Sequence, residues 1–150
     1  AIEWYAKRAN LGGWYEEVYY SLLQIALLKI ELNAPLDEVQ NLLLAAYEYR
    51  PQRAESLYHL ARQLRFHNKA RLAYIYATVA ANIPLSKDIL FVNHAVYEWK
   101  AKEELAMSAN SVGNYQLCHD LCVELLFNPA VPEPNRKLLL DNLKLAKEYL

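Results

Sequence analysis

Ser21-Leu-Leu-Gln-Ile-Ala-Leu-Leu-Lys-Ile-Glu-Leu-Asn33 and Ser56-Leu-Tyr-His-Leu-Ala-Arg-Gln-Leu-Arg-Phe-His-Asn68 are two copies of one stretch, offset by 35 residues. Ser21 aligns with Ser56, Leu22 with Leu57, Ile25 with Leu60, Ala26 with Ala61 and Asn33 with Asn68. A weaker third copy lies 45 residues further on, where Leu105-Ala106 and Gly113 hold the same relative positions. A period in the thirties that closes each time on Asn or Gly predicts a helix-turn-helix unit stacking on its neighbours. The common seven-residue step from Ala26, Ala61 and Ala106 predicts equivalent turns at Asn33, Asn68 and Gly113.

Outward from that stretch, residues 3–10 read as a short helix stopped by Gly12-Gly13, the second half of a repeat whose first half is missing. Unit one covers about 14–51. Its first helix, 14–32, carries Leu22, Ile25, Ala26 and Leu32 on one side, and its partner, 36–50, carries Val39, Leu42, Leu43 and Ala46. Unit two covers about 52–84, with a first helix over 52–67 and a partner over 69–82 that turns Leu72, Ala73, Tyr76, Ala77 and Ala80 inward. An insertion at 84–93 follows, and periodicity leaves open whether it is extended or helical. Unit three, about 94–129, has helices over 96–112 and 115–127. A capping helix over about 135–150 shows Leu138, Leu139, Asn142, Leu145 and Tyr149. No strand pairs appear.

At 150 residues the chain is one domain's worth, enough to bury about 68–70% of its unfolded surface. It opens on Ala1 inside a helical pattern, which suggests an excerpt of a longer protein. A net charge of −1 argues against nucleic acid as a partner held through bulk charge. The charge is uneven: residues 1–50 sum to −3, 51–100 to +4 and 101–150 to −2. Two cysteines are no disulfide framework, which fits a reducing, cytoplasmic setting. No apolar run reaches the roughly 20 residues of a transmembrane segment.

The units resemble tetratricopeptide-type helical repeats. Gly113-Asn-Tyr115 followed by Cys118 and Cys122 is similar to the Gly-x-Tyr-x-x-Ala pattern that joins the two helices, and Ala61, Ala73 and Ala80 stand where that motif places small residues. Asn33 and Asn68 replace the turn glycine, and unit one's turn is one residue longer. The resemblance implies an all-α, right-handed superhelical stack of antiparallel helix pairs, about seven helices in all. A narrower resemblance rests on Lys7-Arg-Ala-Asn-Leu-Gly-Gly-Trp-Tyr-Glu-Glu17, Tyr49-Arg-Pro-Gln-Arg-Ala-Glu-Ser-Leu-Tyr-His-Leu-Ala61 and Leu90-Phe-Val-Asn-His-Ala-Val-Tyr-Glu-Trp99. These look like segments of a helical-repeat domain attached to family-2-type glycosyltransferases in bacteria and some viruses. That implies a non-catalytic interaction or scaffolding domain beside a catalytic one. The alternative is a free-standing adaptor that grips a peptide or a protein terminus.

No catalytic constellation, cofactor motif or metal site is expected. Asp37, Asp88, Asp120 and Asp141 are isolated, with no Asp-x-Asp pair and no glycine-rich phosphate loop. Cys118 and Cys122 share the helix face a repeat buries, so they read as core thiols. His59, His67 and His94 read as surface or edge residues. Glu16-Glu17 and Glu103-Glu104 are neighbours that point apart on a helix, and read as solvated faces or salt bridges.

The candidate partner surface lies on the first helices. Glu55, Tyr58, Arg62 and Arg65 fall on one stripe, beside Leu23, Leu27 and Ile30 in unit one and Glu103, Met107 and Asn110 in unit three. Tyr58, Arg62 and Arg65 are the expected centre, flanked by Tyr20 and Leu23 and by Lys100 and Glu103. Such a groove suits a protein or peptide, or an adjacent catalytic domain of the same chain, and a homo-oligomer is compatible with it. The competing reading packs Leu23, Leu27 and Ile30 on the next helix and leaves the arginines solvated. A true partner site predicts that Arg62→Ala with Arg65→Ala leaves helical content and melting temperature nearly unchanged and weakens partner binding at least about tenfold, roughly 1.4 kcal/mol.

Overall fold

The structure is a computed structural model that describes residues 1–150. Eight α-helices make up the fold: α1 (Ile2–Leu11), α2 (Tyr15–Glu31), α3 (Leu36–Tyr49), α4 (Glu55–Phe66), α5 (Ala70–Ala81), α6 (Ala101–Ser111), α7 (Tyr115–Leu126) and α8 (Glu133–Glu148). The short α1 answers to the helix expected over residues 3–10 and stands outside the seven made by three pairs and a cap. A single π turn, Val96–Lys100, runs straight into α6. Each helix packs chiefly on its neighbours in sequence, as in helical-repeat arrangements generally.

The three turns are equivalent bond for bond. Asn33, Asn68 and Gly113 have φ of 55°, 60° and 85°. In each turn the next residue's N–H reaches back five positions: Ala34 to Lys29 O (3.0 Å), Lys69 to Leu64 O (2.9 Å) and Asn114 to Ala109 O (2.8 Å). The turn residue's own N–H bonds three positions back in all three cases. This paired pattern satisfies the last helix carbonyls and requires a left-handed residue, which Gly and Asn supply at least cost. The chain therefore reverses at the same point in each unit.

The second helices share one inward triple. Val39, Leu43 and Ala46 on α3 correspond to Ala73, Ala77 and Ala80 on α5 and to Cys118, Cys122 and Leu125 on α7, and all nine are buried. The two thiols thus hold alanine places, with their sulfurs 4.0 Å apart. Burial raises the Cys118 pKa and pushes that of Cys122 up to about 12, so both stay protonated. Ala26, Ala61 and Ala106 are likewise fully buried and let the helix axes close up. Two core clusters result, one under units one and two and one under units two and three.

Several expectations need correction. Leu72 is exposed rather than inward, because α5 is apolar on nearly every side and periodicity could not choose its face. Leu32 is exposed at the α2 terminus. On α8 the buried residues are Leu139 and Ala146, whereas Leu138 and Leu145 face outward; Tyr149, just past the helix end, stacks on Tyr115 with centroids 4.3 Å apart. Helix α4 begins at Glu55 rather than near residue 52, because Arg53 N–H closes a turn on Arg50 O (3.0 Å). Residues 84–93 form neither helix nor strand and act as a strap.

Gly113→Ala is expected to lower unfolding stability by about 1 kcal/mol in urea titration, since only the left-handed φ opposes it. A Cβ there meets nothing nearer than 4.0 Å. Asn33→Gly and Asn68→Gly should be near neutral.

Candidate functional site

The predicted groove residues are only partly brought together. On α4, Tyr58 is buried and its hydroxyl accepts from Arg62 Nη1 at 3.3 Å. Arg65 donates from Nε and Nη2 to the two carboxylate oxygens of Glu104, at 2.8 and 2.7 Å. Those hydrogen bonds raise the Arg65 pKa. Glu103, beside them on α6, accepts from Asn135 Nδ2 at 2.9 Å, and burial pushes its carboxyl up. Lys100 sits with its ammonium 5.7 Å from the Trp99 ring. Arg62 and Lys100 form no ion pair. Between them lies His59, half-buried rather than at the surface, with a pKa lowered to about 4 by burial and then by these two cations. Leu23 is buried in the first core, with Leu27 and Ile30 packed against it. Tyr20 stands apart from this group.

Glu55 faces another way and belongs to the most enclosed polar cluster of the molecule. Arg53 is fully buried and donates from Nη2 and Nε to Glu55, at 2.8 and 3.2 Å. Its Nη1 reaches Asp88 Oδ2 and Leu90 O, and its Nη2 reaches Phe91 O, each at 3.4 Å. The Tyr19 ring lies 4.6 Å from its guanidinium. Arg50 forks onto Asp88 from Nε and Nη2, at 3.1 and 2.6 Å. Glu55 also accepts from Tyr97 Oη (2.6 Å) and Asn93 N–H (3.1 Å). Glu16 accepts from the N–H groups of Ile89 and Leu90, at 2.7 and 2.8 Å.

Burial works to raise the Glu55 pKa, but the bonds from Arg53 and Tyr97 outweigh it and hold the carboxyl below its usual range. Arg50's hydrogen bonds do the same for Asp88. For Arg53, burial lowers the pKa, yet the Glu55 bond and charge win and raise it.

This cluster pins the strap over α2 and α4 and shapes a cleft of about 300 Å³ against α1. Four aromatic rings run along the cleft. Trp4 and Tyr5 are 5.0 Å apart by centroids, Tyr5 and Tyr20 6.1 Å, and Tyr20 and Phe91 4.6 Å. Trp4 and Phe91 are 63% and 66% exposed. Phe91 has φ +47°, a left-handed conformation that costs a bulky residue energy. Arg8 and Glu17 pair at the cleft's polar edge.

Sequence reasoning missed Arg53, Asp88 and the cleft, apart from Tyr20. A usable signal existed: the three stretches that carry the narrower resemblance supply Arg8, Glu16 and Glu17, then Arg50, Arg53 and Glu55, then Leu90, Phe91 and Asn93. They are distant in sequence and adjacent in space. No group of His, Cys, Asp and Glu side chains is placed to hold a metal ion. No helix is long and apolar enough to cross a membrane. The chain matches no protein-family model, no curated protein and no solved structure.

Arg53→Met should cost about 3–5 kcal/mol in urea unfolding, because Glu55 is left charged and dry. Adding Glu55→Leu should recover most of that loss. Glu55 and Asp88 have folded pKa values below their unfolded ones, so their stabilisation is present above about pH 4 and is lost as pH falls through the folded values. A Tm series from pH 7 down to about 2 should show that acid loss, and the Arg53→Met/Glu55→Leu variant should show less of it. Arg62→Ala should lower Tm only slightly, since Arg62 forms no ion pair and its 3.3 Å bond to the Tyr58 hydroxyl is long. Arg65→Ala should lower stability by about 1–3 kcal/mol, against the expectation from sequence, because it strands the buried Glu104.

Proposed function

We propose that this chain is a non-catalytic interaction domain, a tetratricopeptide-like right-handed stack accompanying a glycosyltransferase, and that it engages its partner through the aromatic cleft. The observation that carries this reading is the Arg53–Glu55–Asp88 cluster. It holds three remote stretches in one arrangement whose outer side presents Trp4, Tyr20 and Phe91. Enclosing charges adds little net stability compared with an apolar core of the same volume, so their use where a loop must keep one shape points to the shape as the selected property. Exposed aromatic rings on a rigid base are the surface that protein interfaces use as anchors. The partner is a protein or peptide, and an adjacent catalytic domain of the same chain fits best because the stretches of the narrower resemblance supply Arg8, Glu17, Leu90 and Phe91 to the cleft.

A second reading, a free-standing adaptor that grips a peptide or chain terminus on the first helices, draws on Arg62 and Lys100. Neither cation forms an ion pair. Tyr58, Leu23 and the Arg65–Glu104 pair then act as its floor rather than as contacts.

The test compares Trp4→Ala/Phe91→Ala with Arg62→Ala/Lys100→Ala in calorimetric titration against the catalytic domain of the glycosyltransferase, supplied separately. Both pairs should leave helical content and Tm close to wild type. The aromatic pair should weaken binding at least about tenfold, roughly 1.4 kcal/mol, and the basic pair should not. A loss confined to the basic pair moves the site to the first-helix groove. Wild-type domain that fails to bind, or binding insensitive to both pairs, ends the proposal.

A further inference from the structure

The repeat register supplies an internal control for the outer surface. With the buried triples of α3, α5 and α7 aligned, three exposed positions also align. They are Asp37, Asn41 and Ala45 on α3, Arg71, Ile75 and Val79 on α5, and Gln116, Asp120 and Glu124 on α7. The second and third of these positions are therefore polar or small in units one and three and aliphatic, as Ile75 and Val79, in unit two. Leu72, Ile75 and Val79 are 42%, 54% and 38% exposed and form one stripe on α5 at steps of three and four. Helix α5 contains no carboxylate, and Lys69 and Arg71 at its N-terminal end form no ion pair. The other two second helices carry exposed acids toward their C-terminal ends: Glu48 on α3, which forms no ion pair, and Glu124 on α7, which is already paired with Lys102.

We infer that the outer face of α5 is a self-association surface, taken by α5 of a second copy of this chain packed antiparallel about a two-fold axis near Ile75. A two-fold interface must be complementary to itself. Parallel pairing would place Lys69 and Arg71 of both copies together. Antiparallel pairing sends each basic end to the partner's C-terminal ends, where the helix dipole is negative and Glu48 stands exposed and unpaired. The aliphatic stripe then meets its own copy at the centre, and the charges fall at the rim, the usual arrangement of interfaces. This surface lies outside the aromatic cleft and is independent of the partner proposed for it.

The experiment is sedimentation equilibrium of the chain up to roughly 200 µM, suited to an interface of one helix and its flanks. Wild type should load as a dimer. Ile75→Asp, which installs the type of residue found at the aligned Asp120, should weaken dimerisation at least about tenfold (roughly 1.4 kcal/mol) with unchanged circular dichroism and Tm. Lys69→Glu/Arg71→Glu should weaken it as well, and adding Glu48→Lys should restore part of it. Orientation is read by oxidation: Ile75→Cys should cross-link to its own copy. Arg71→Cys should not, because antiparallel pairing sets the two copies about 12 Å apart along the axis, beyond disulfide reach. A wild-type monomer throughout, as expected if the stripe serves a different protein, overturns the inference. So does a dimer indifferent to Ile75→Asp, or efficient self-cross-linking at position 71.

Discussion

A guanidinium shut off from water has to be given acceptors by the protein itself, and Arg53 is that case. Isolated burial of a charge costs several kcal/mol, so the fold around Arg53 is conditional on its partners arriving together. Two are carboxylates, Glu55 from the same turn and Asp88 from the strap; two more are the strap carbonyls of Leu90 and Phe91. Glu55 has its remaining lone pairs taken by Tyr97 and Asn93. The strap thus follows a path that other residues dictate. Removing it would open Arg53 and Glu55 to an unmatched interior. The ten extra residues between units two and three are an insertion in the repeat and also the closing wall of its best-satisfied polar site.

Outside that knot the molecule is built by repetition. The same left-handed turn, closed by the same five-back hydrogen bond, sets the phase of α3, α5 and α7 against α2, α4 and α6. Phase then decides packing, because it fixes which three residues of each second helix are buried. Small residues at Ala26, Ala61 and Ala106 let the pairs approach, and the core passes from one unit to the next rather than centring on one point. The π turn lies where the strap enters unit three. Val96 goes into the first cluster and Trp99 into the second, within one turn of widened helix.

The repeat was legible because it depends on local chemistry: an Asn or Gly that tolerates positive φ, and alanines seven residues before it. Cys118 and Cys122 were legible for the same reason, since they occupy alanine positions in the register. Arg53 was not. Arginine near a helix start ordinarily reads as solvated, and beside the local Glu55 its burial needs Asp88, Leu90 and Phe91, which are remote in sequence. Arg65 misled in a milder way, because Glu104 lies 39 residues away and nothing local announces the pairing. Leu72 and Leu138 misled for the opposite reason. Both sit in helices with apolar residues on several sides, where the hydrophobic pattern has no single direction.

The basic excess of residues 51–100 shows how charge summed along a sequence differs from charge presented by a surface. Seven cations stand in that stretch against three acids. Arg53 is buried and neutralised by Glu55 and Asp88, and Arg65 is matched by Glu104 from outside the stretch. The remainder divides spatially. Arg62 and Lys100 act on His59 on the first-helix side, adding to burial in depressing its pKa, Lys69 and Arg71 gather at the α4–α5 turn, and Lys87 stands exposed on the strap. At a Debye length of about 8 Å in physiological salt, separate pairs of this kind act as separate local sites rather than as one field. Each pair therefore has to be interpreted with its own neighbours: Tyr58 and Glu103 for the first, the aliphatic stripe of α5 for the second.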